Sequence, residues 1–219
     1  MNETRNLIEM ETTAEKVKYP RAQALRVARE LCDVLGPLCE TDDAGVPLLK
    51  VCGSLRRMKE QVGDVEMVFV PRTRSLCAEE RDLFGVVTRP AKTVYETHLV
   101  MDHLVSHCAL SRRLKCDGSQ TWGQWIRLAV HVASGVPVDF FACSRAAWWN
   151  IVACRTGGAR SNVAVASAAI VKGWRWDMGP ESPGFWRPQG LGREYHAVRS
   201  EAEVFEFVGM PCKKPEERE

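Results

Sequence analysis

The sequence predicts an α+β fold. Three observations predict it: a helical stretch near the start, two pairs of short apolar strands in the middle, and a C-terminal third that is mostly helical. The chain's 219 residues suit one sizeable domain or a core with a small satellite. Hydrophobic residues make up 45% and charged residues 26%, the balance of an ordinary globular protein.

Residues 1–19 read as a loose polar arm ending at Pro20. A helix follows, with Leu25, Ala28, Cys32 and Leu35 on one face and Arg21, Arg26, Arg29 and Glu30 elsewhere, stopped by Gly36-Pro37. The Thr41–Gly45 turn leads to an apolar run, Val46–Cys52, read as a strand and ended by Gly53-Ser54. A basic segment through Lys59 then leads to a second strand, about Asp64–Val70. Glu79–Leu83 and Val94–Leu110 are compatible with helix. Ile126–Val132 and Val136–Phe141 read as strands of a hairpin joined through Ala133-Ser134-Gly135. Ser144 caps a helix through Cys154, Gly157-Gly158 breaks it, and Asn162–Lys172 forms another, ended by Gly173. Residues 174–198, rich in Trp, Gly and Pro, read as loop or irregular hairpin. Ser200 with Glu203 opens a last helix, closed by Gly209 and Pro211. The C-terminal Lys213–Glu219 reads as a solvated tail.

Nine cysteines, an odd number with no CxxC pair, argue against a disulfide framework and for reduced thiols. The polar N-terminus lacks the apolar region of a signal peptide, and no apolar stretch approaches the ~20 residues that span a bilayer. The expectation is a cytoplasmic monomer (nuclear, in a host with a nucleus) without a membrane partner. A net charge of +2 neither demands nor excludes a nucleic-acid partner.

The chemistry-bearing segment is residues 51–70. Its second strand is almost wholly apolar yet carries Asp64 and Glu66, two apart and therefore on one side. Paired carboxylates in an apolar setting repel each other and lose solvation, and a divalent cation removes both costs. Mg²⁺ favours carboxylate oxygens together with substrate phosphates. Two metals need a third carboxylate, and Asp139 is the lone charge of its apolar strand. Gly53 and Ser54 offer backbone N–H groups and a hydroxyl to a triphosphate, with Arg57 and Lys59 adding charge. Arg112, Arg113 and Lys115 form a basic run suited to nucleic-acid phosphates, and Arg160 is a further candidate there. His103 and His107, with Cys108, His98 and Cys116 nearby, have zinc-like spacing, although scattered helical histidines are usually structural. Trp174 and Trp176 flank Arg175 and are candidates for stacking on bases.

In Gly53-Ser54-Leu55-Arg56-Arg57, Gly63-Asp64-Val65-Glu66 and Val138-Asp139-Phe140-Phe141, the sequence resembles the family X DNA polymerases, the polymerase-β-like members of the nucleotidyltransferase superfamily. Arg155-Thr156-Gly157-Gly158 with Asn162 is similar to the family's TGS turn and the helix after it. The stretch from Glu201 to Arg218 resembles the tail of phage and bacterial members. The likeness runs from about residue 20 to the end and is poor over 72–122.

The resemblance implies a nucleotidyltransferase palm with a mixed β-sheet over 20–143 and a helical thumb-like domain over 144–219. It implies DNA-directed DNA polymerase activity in gap filling and repair, with a DNA primer and template and a deoxynucleoside triphosphate as partners. Asp64, Glu66 and Asp139 would bind two Mg²⁺ ions, for which Mn²⁺ can substitute. Asp139 would sit nearest the attacking 3′-hydroxyl, Ser54 and Arg57 on the β- and γ-phosphates, and Gly157 and Asn162 beside the nucleotide's sugar and base. The chain departs from the pattern at Glu66, where the best-known members have Asp. It departs again at Cys154-Arg155 in place of an aromatic pair, and at Pro137 where Arg is frequent. About twenty residues precede the first helix, so the expectation is a minimal member without the lyase and helix-hairpin-helix modules. Two other readings stay open: a template-independent transferase with a different acceptor, and a DNA-binding relative whose metal site has decayed.

Overall fold

The computed structural model describes residues 17–89, 92–115 and 117–219. The fold is α+β, with both helices and a mixed sheet. Helix α1, Arg21–Leu35, buries Ala24, Val27, Ala28, Leu31 and Leu35, a stripe at three- and four-residue spacing. Leu25 and Cys32, expected at its centre, lie at its margin. The buried stripe keeps the expected Ala28 and Leu35 and is turned toward Ala24, Val27 and Leu31.

Five strands form the central sheet: β1, Leu49–Val51; β2, Val65–Phe69; β3, Leu110–Arg112; β4, Ile126–His131; and β5, Pro137–Ala142. Their order is β1-β2-β5-β4-β3, with β2 and β5 parallel and the other pairs antiparallel. The expected β4–β5 hairpin is present, with Leu128 opposite Asp139. Strand β1 is shorter than expected, because Asp42 ties Ala44 and Val46 into a turn before it.

Alternation gives the sheet two different faces. Val65, Met67, Phe69, Val138 and Phe140 pack with α1 in the larger core. Val68 and Phe141 face the other way and are covered by Trp148, Ile151 and Val152 of helix α4, Trp148–Thr156. The one-turn helix α2, Gly53–Arg56, and helix α3, Glu96–Ser106, lie between the strands in sequence.

Residues 79–83 are not helical. Glu80–Arg81 pairs with Val87–Arg89 around a turn in which the Asp82 carboxylate accepts hydrogen bonds from Phe84 and Val86 N–H and Gly85 has φ 78°. An Asp that ties down its own backbone, followed by Gly and β-branched residues, selects a hairpin over a helix. The expected helix over 94–110 is confined to α3. Lys92–Tyr95 before it pairs with Thr73–Cys77, and Leu110 after it enters β3.

Ser144 accepts a hydrogen bond from Ala147 N–H and opens a short 3₁₀ turn ahead of α4. Helix α5, Ala159–Val171, begins three residues before the expected Asn162. Residues 174–198 hold an ordered three-stranded antiparallel sheet: β6, Arg175–Trp176; β7, Gly184–Gln189; and β8, Gly192–Ala197. Helix α6, Glu201–Phe207, packs Val204 and Phe205 with Phe185, Trp176 and Val198 in a third core. Ser200 accepts from Glu203 N–H, and the Glu203 carboxylate accepts from Arg199 N–H, one residue earlier than an ordinary capping box.

The tail is not solvated as a whole. Arg218 is 3% exposed, and it bridges to Glu201, which also takes both terminal nitrogens of Arg56. The carbonyls of Arg218 and Glu219 accept from Gly158 and Ser161 N–H at the start of α5. Unpaired N–H groups at a helix start need acceptors, and the tail supplies them.

Candidate nucleotidyltransferase site

The parallel pairing of β2 with β5 sets Glu66 directly opposite Asp139. Both project from the face that α4 covers, the same side as Val68 and Phe141. Asp64 stands just before β2, close enough to bear electrostatically on both carboxylates. Burial, reinforced by Asp64 and Asp139, pushes the Glu66 carboxyl up to about 7 against the pull of Arg155 and Arg57. Burial likewise pushes the Asp139 carboxyl above its ordinary range, opposed by Arg113 and aided by Asp64.

These three carboxylates share a neighbourhood without forming a finished cage. Among the described residues, no three His, Cys, Asp or Glu side chains are gathered as a ready ligand set. Arg113 Nη2 lies 2.8 Å from Asp139 Oδ1. The contact is an ion pair that leaves this buried oxygen without a well-aligned hydrogen bond. A buried carboxylate oxygen held in this way beside two more carboxylates is suited to a hard divalent cation. The donor chemistry of Asp64, Glu66 and Asp139 therefore fits the expected ions, with Arg113 partly neutralising the site as it stands.

Gly53 backs Glu66. Its φ is 61°, and a Cβ there would meet the Glu66 carboxyl carbon and oxygen at 2.9 Å. Gly53→Ala should therefore cost about 1–3 kcal/mol and displace Glu66, read as a lowered urea midpoint with an unchanged slope. Helix α2 is a single turn of four residues, too short for its N-terminus to attract an anion by helix dipole alone. The half-buried Ser54 hydroxyl has no hydrogen-bond partner among the described residues and remains free for a ligand. Arg57 is partly committed, because its Nη1 donates to Thr156 O at 2.9 Å while its buried Nε is unpartnered. Lys59 pairs with the Glu219 side chain.

At the far side, Asn162 Nδ2 donates to Cys154 O at 2.9 Å and closes over Gly157, where any Cβ would collide with its amide oxygen. The two expected nucleotide contacts thus lie together, with Asn162 capping the end of α4.

The basic residues expected on nucleic-acid phosphates separate. Arg113 turns into the site onto Asp139, because its backbone bonds to Leu128 O and Leu128 pairs with Asp139 across the sheet. In this structure its guanidinium is engaged by that ion pair. Arg112 stacks over Trp122 at 5.1 Å. Lys115 and Arg160 are exposed. The zinc reading finds no support among the described residues: His98 is buried with its Nε2 2.8 Å from Gln124 O, while His103 and His107 stack on each other at 3.9 Å. Cys116 lies outside the described residues. The eight described cysteines form no disulfide.

Arg155 is the residue that sequence reasoning missed. From the last turn of α4 its guanidinium lies 3.6 Å from the Phe141 ring centre, and its charge reaches Glu66 and Asp139. The only sequence signal was a cation where the resembling family carries an aromatic ring.

The raised Glu66 carboxyl carries a stability consequence. Between the ordinary value of 4.5 and about 7, the folded chain holds more protons than the unfolded one, so stability falls as pH rises through that window. The contribution at stake is about 3 kcal/mol. Thermal melts from pH 4.5 to 7.5 without divalent ions should show a declining Tm, and Glu66→Gln should flatten the decline. A wild-type profile identical to that of Glu66→Gln would contradict this.

A scan against protein-family models finds no match to this chain, and neither does a search of curated proteins. Among the described residues, no helix is long and apolar enough to cross a membrane.

Proposed function

We propose that this chain is a nucleotidyltransferase that transfers a nucleoside monophosphate from a nucleoside triphosphate to a nucleic-acid 3′-hydroxyl, acting as a small gap-filling DNA polymerase. The observation that carries the reading is the β2–β5 register, which pairs Glu66 with Asp139 on a half-buried face beside Asp64. Pairing three carboxylates so closely costs stability, and a phosphoryl-transfer centre is the chemistry that gives that cost a use.

Asp64, Glu66 and Asp139 would hold the two divalent cations. Bound there, such ions would acidify the attacking hydroxyl and neutralise the departing pyrophosphate. Asp139 then orients the acceptor hydroxyl, and Ser54 and Arg57 hold the triphosphate. Arg113 and Arg155 oppose the protonation that burial favours at these carboxylates before substrate arrives. Little covalent work falls to the protein, and positioning dominates.

The test is extension of a labelled primer, each nucleotide offered separately, on a one-nucleotide gap and as a bare single strand. Extension of the gap by the complementary nucleotide alone is the expected result. Extension of both would move the reading to a template-independent transferase. No extension of either would reject a nucleic-acid acceptor.

A further inference from the structure

The C-terminal sheet β6-β7-β8 has an inner face that carries the third core through Trp176 and Phe185. Its outer face is differently made. Pairing puts Arg175, Trp186 and Tyr195 in one cross-strand row, and Arg193 opposite Pro188 in the next. Arg175 and Arg193 hold their guanidinium carbons 5.2 and 4.3 Å from the Trp186 ring centre. Tyr195 is 46% exposed. The one carboxylate among the described residues of these strands, Glu194, alternates to the other face and pairs there with Arg187 at 2.6 Å.

Neither Trp186 nor Tyr195 belongs to the core packed against the sheet. Trp186 is half-buried between the two guanidinium groups, and Tyr195 stands exposed beside it in the same row. Accessible aromatic rings and guanidinium groups on one face are the two components that bind unpaired nucleic acid, with bases stacking on the rings and phosphates meeting the charges. Expectation had put Trp174 and Trp176 in this role. The strand alternation buries Trp176 and turns Trp174 toward Phe207, leaving Trp186 on the open side.

We propose that this outer face docks a single-stranded nucleic-acid segment, such as the unpaired template beyond a primer end. The choice of partner rests on the nucleic-acid reading above, and charge complementarity selects it over an uncharged or basic protein surface. Duplex fits less well, because its bases are already stacked and offer no free faces to Trp186 or Tyr195.

The experiment measures fluorescence anisotropy of the full chain with labelled oligothymidylate and with an abasic oligomer of equal length. Oligothymidylate should bind about tenfold more tightly than the abasic strand. The paired change Arg175→Ala with Arg193→Ala should weaken binding at least tenfold and reduce the log-log salt slope by about 1.4. Tyr195→Ser, on an exposed side chain, should weaken oligothymidylate binding selectively. Equal binding of the abasic strand would reduce the face to a general polyanion surface and overturn the proposal, as would unchanged binding by all the variants. Asp139→Asn separates the two readings, since it should bind oligothymidylate like wild type while extending no primer. Sheet-dependent binding by a wild-type chain that extends nothing would keep this proposal and reject the catalytic one.

Discussion

Replacing Asp139 by Asn is expected to lower the rate of nucleotidyl transfer by about 10³-fold while leaving the fold in place. The substitution keeps the side chain's size and removes only the charge facing Glu66, Asp64 and Arg113. Burial already penalises the Asp139 carboxylate, so its loss should change stability by less than about 1 kcal/mol in either direction. A catalytic loss without a stability loss is the signature of a residue retained for chemistry. Steady-state extension rates with a parallel urea melt check both halves. Retention of more than a tenth of the activity would remove Asp139 from the reaction.

The second large effect concerns architecture. Glu201 is expected to be the most costly surface-facing carboxylate to lose, at about 3–5 kcal/mol for Glu201→Leu. It takes two hydrogen bonds from Arg56, at 2.9 and 2.6 Å, and one from Arg218 at 2.6 Å. Although burial opposes it, these bonds hold the Glu201 carboxyl below the usual range. Removing it strands two guanidinium groups, one of them on the 3%-exposed Arg218. Arg56 sits on α2 next to Arg57, and Arg218 holds the tail against the start of α5, so the same change should loosen Ser54 and Arg57 as well. The expected readout is a large drop in the chemical-denaturation midpoint together with a raised KM for nucleotide. A double change of Glu201 and Arg218 to Leu should recover part of the stability, because the most buried cation then leaves with its partner.

Much of the site was legible because strand alternation is a strong code. An Asp-x-Glu in an apolar run and a lone Asp in a second apolar run announced themselves by being costly there, and the structure pairs them across β2 and β5. What alternation does not encode is reach across a sheet. Arg113 looked like part of a surface run with Arg112 and Lys115, but its place beside Leu128 turns it onto Asp139. Arg155 joins the site only because α4 lies over that face, a packing choice that no local pattern announces. The tail was misread for the same reason: Lys213–Glu219 is highly charged, and only the position of Glu201 and the bare start of α5 make burying Arg218 favourable. The hairpin at 80–89 was mistaken because Glu79–Leu83 has good helix formers, and the Asp82 turn outweighed their propensity.

Incorporation of α-labelled nucleotide into a gapped primer, titrated with Mg²⁺ and compared between wild type and Asp64→Ala, tests the central claim most directly. The account predicts strictly cation-dependent incorporation by the wild type and none by the variant. Incorporation that survives full chelation, or that Asp64→Ala leaves unchanged, would contradict it.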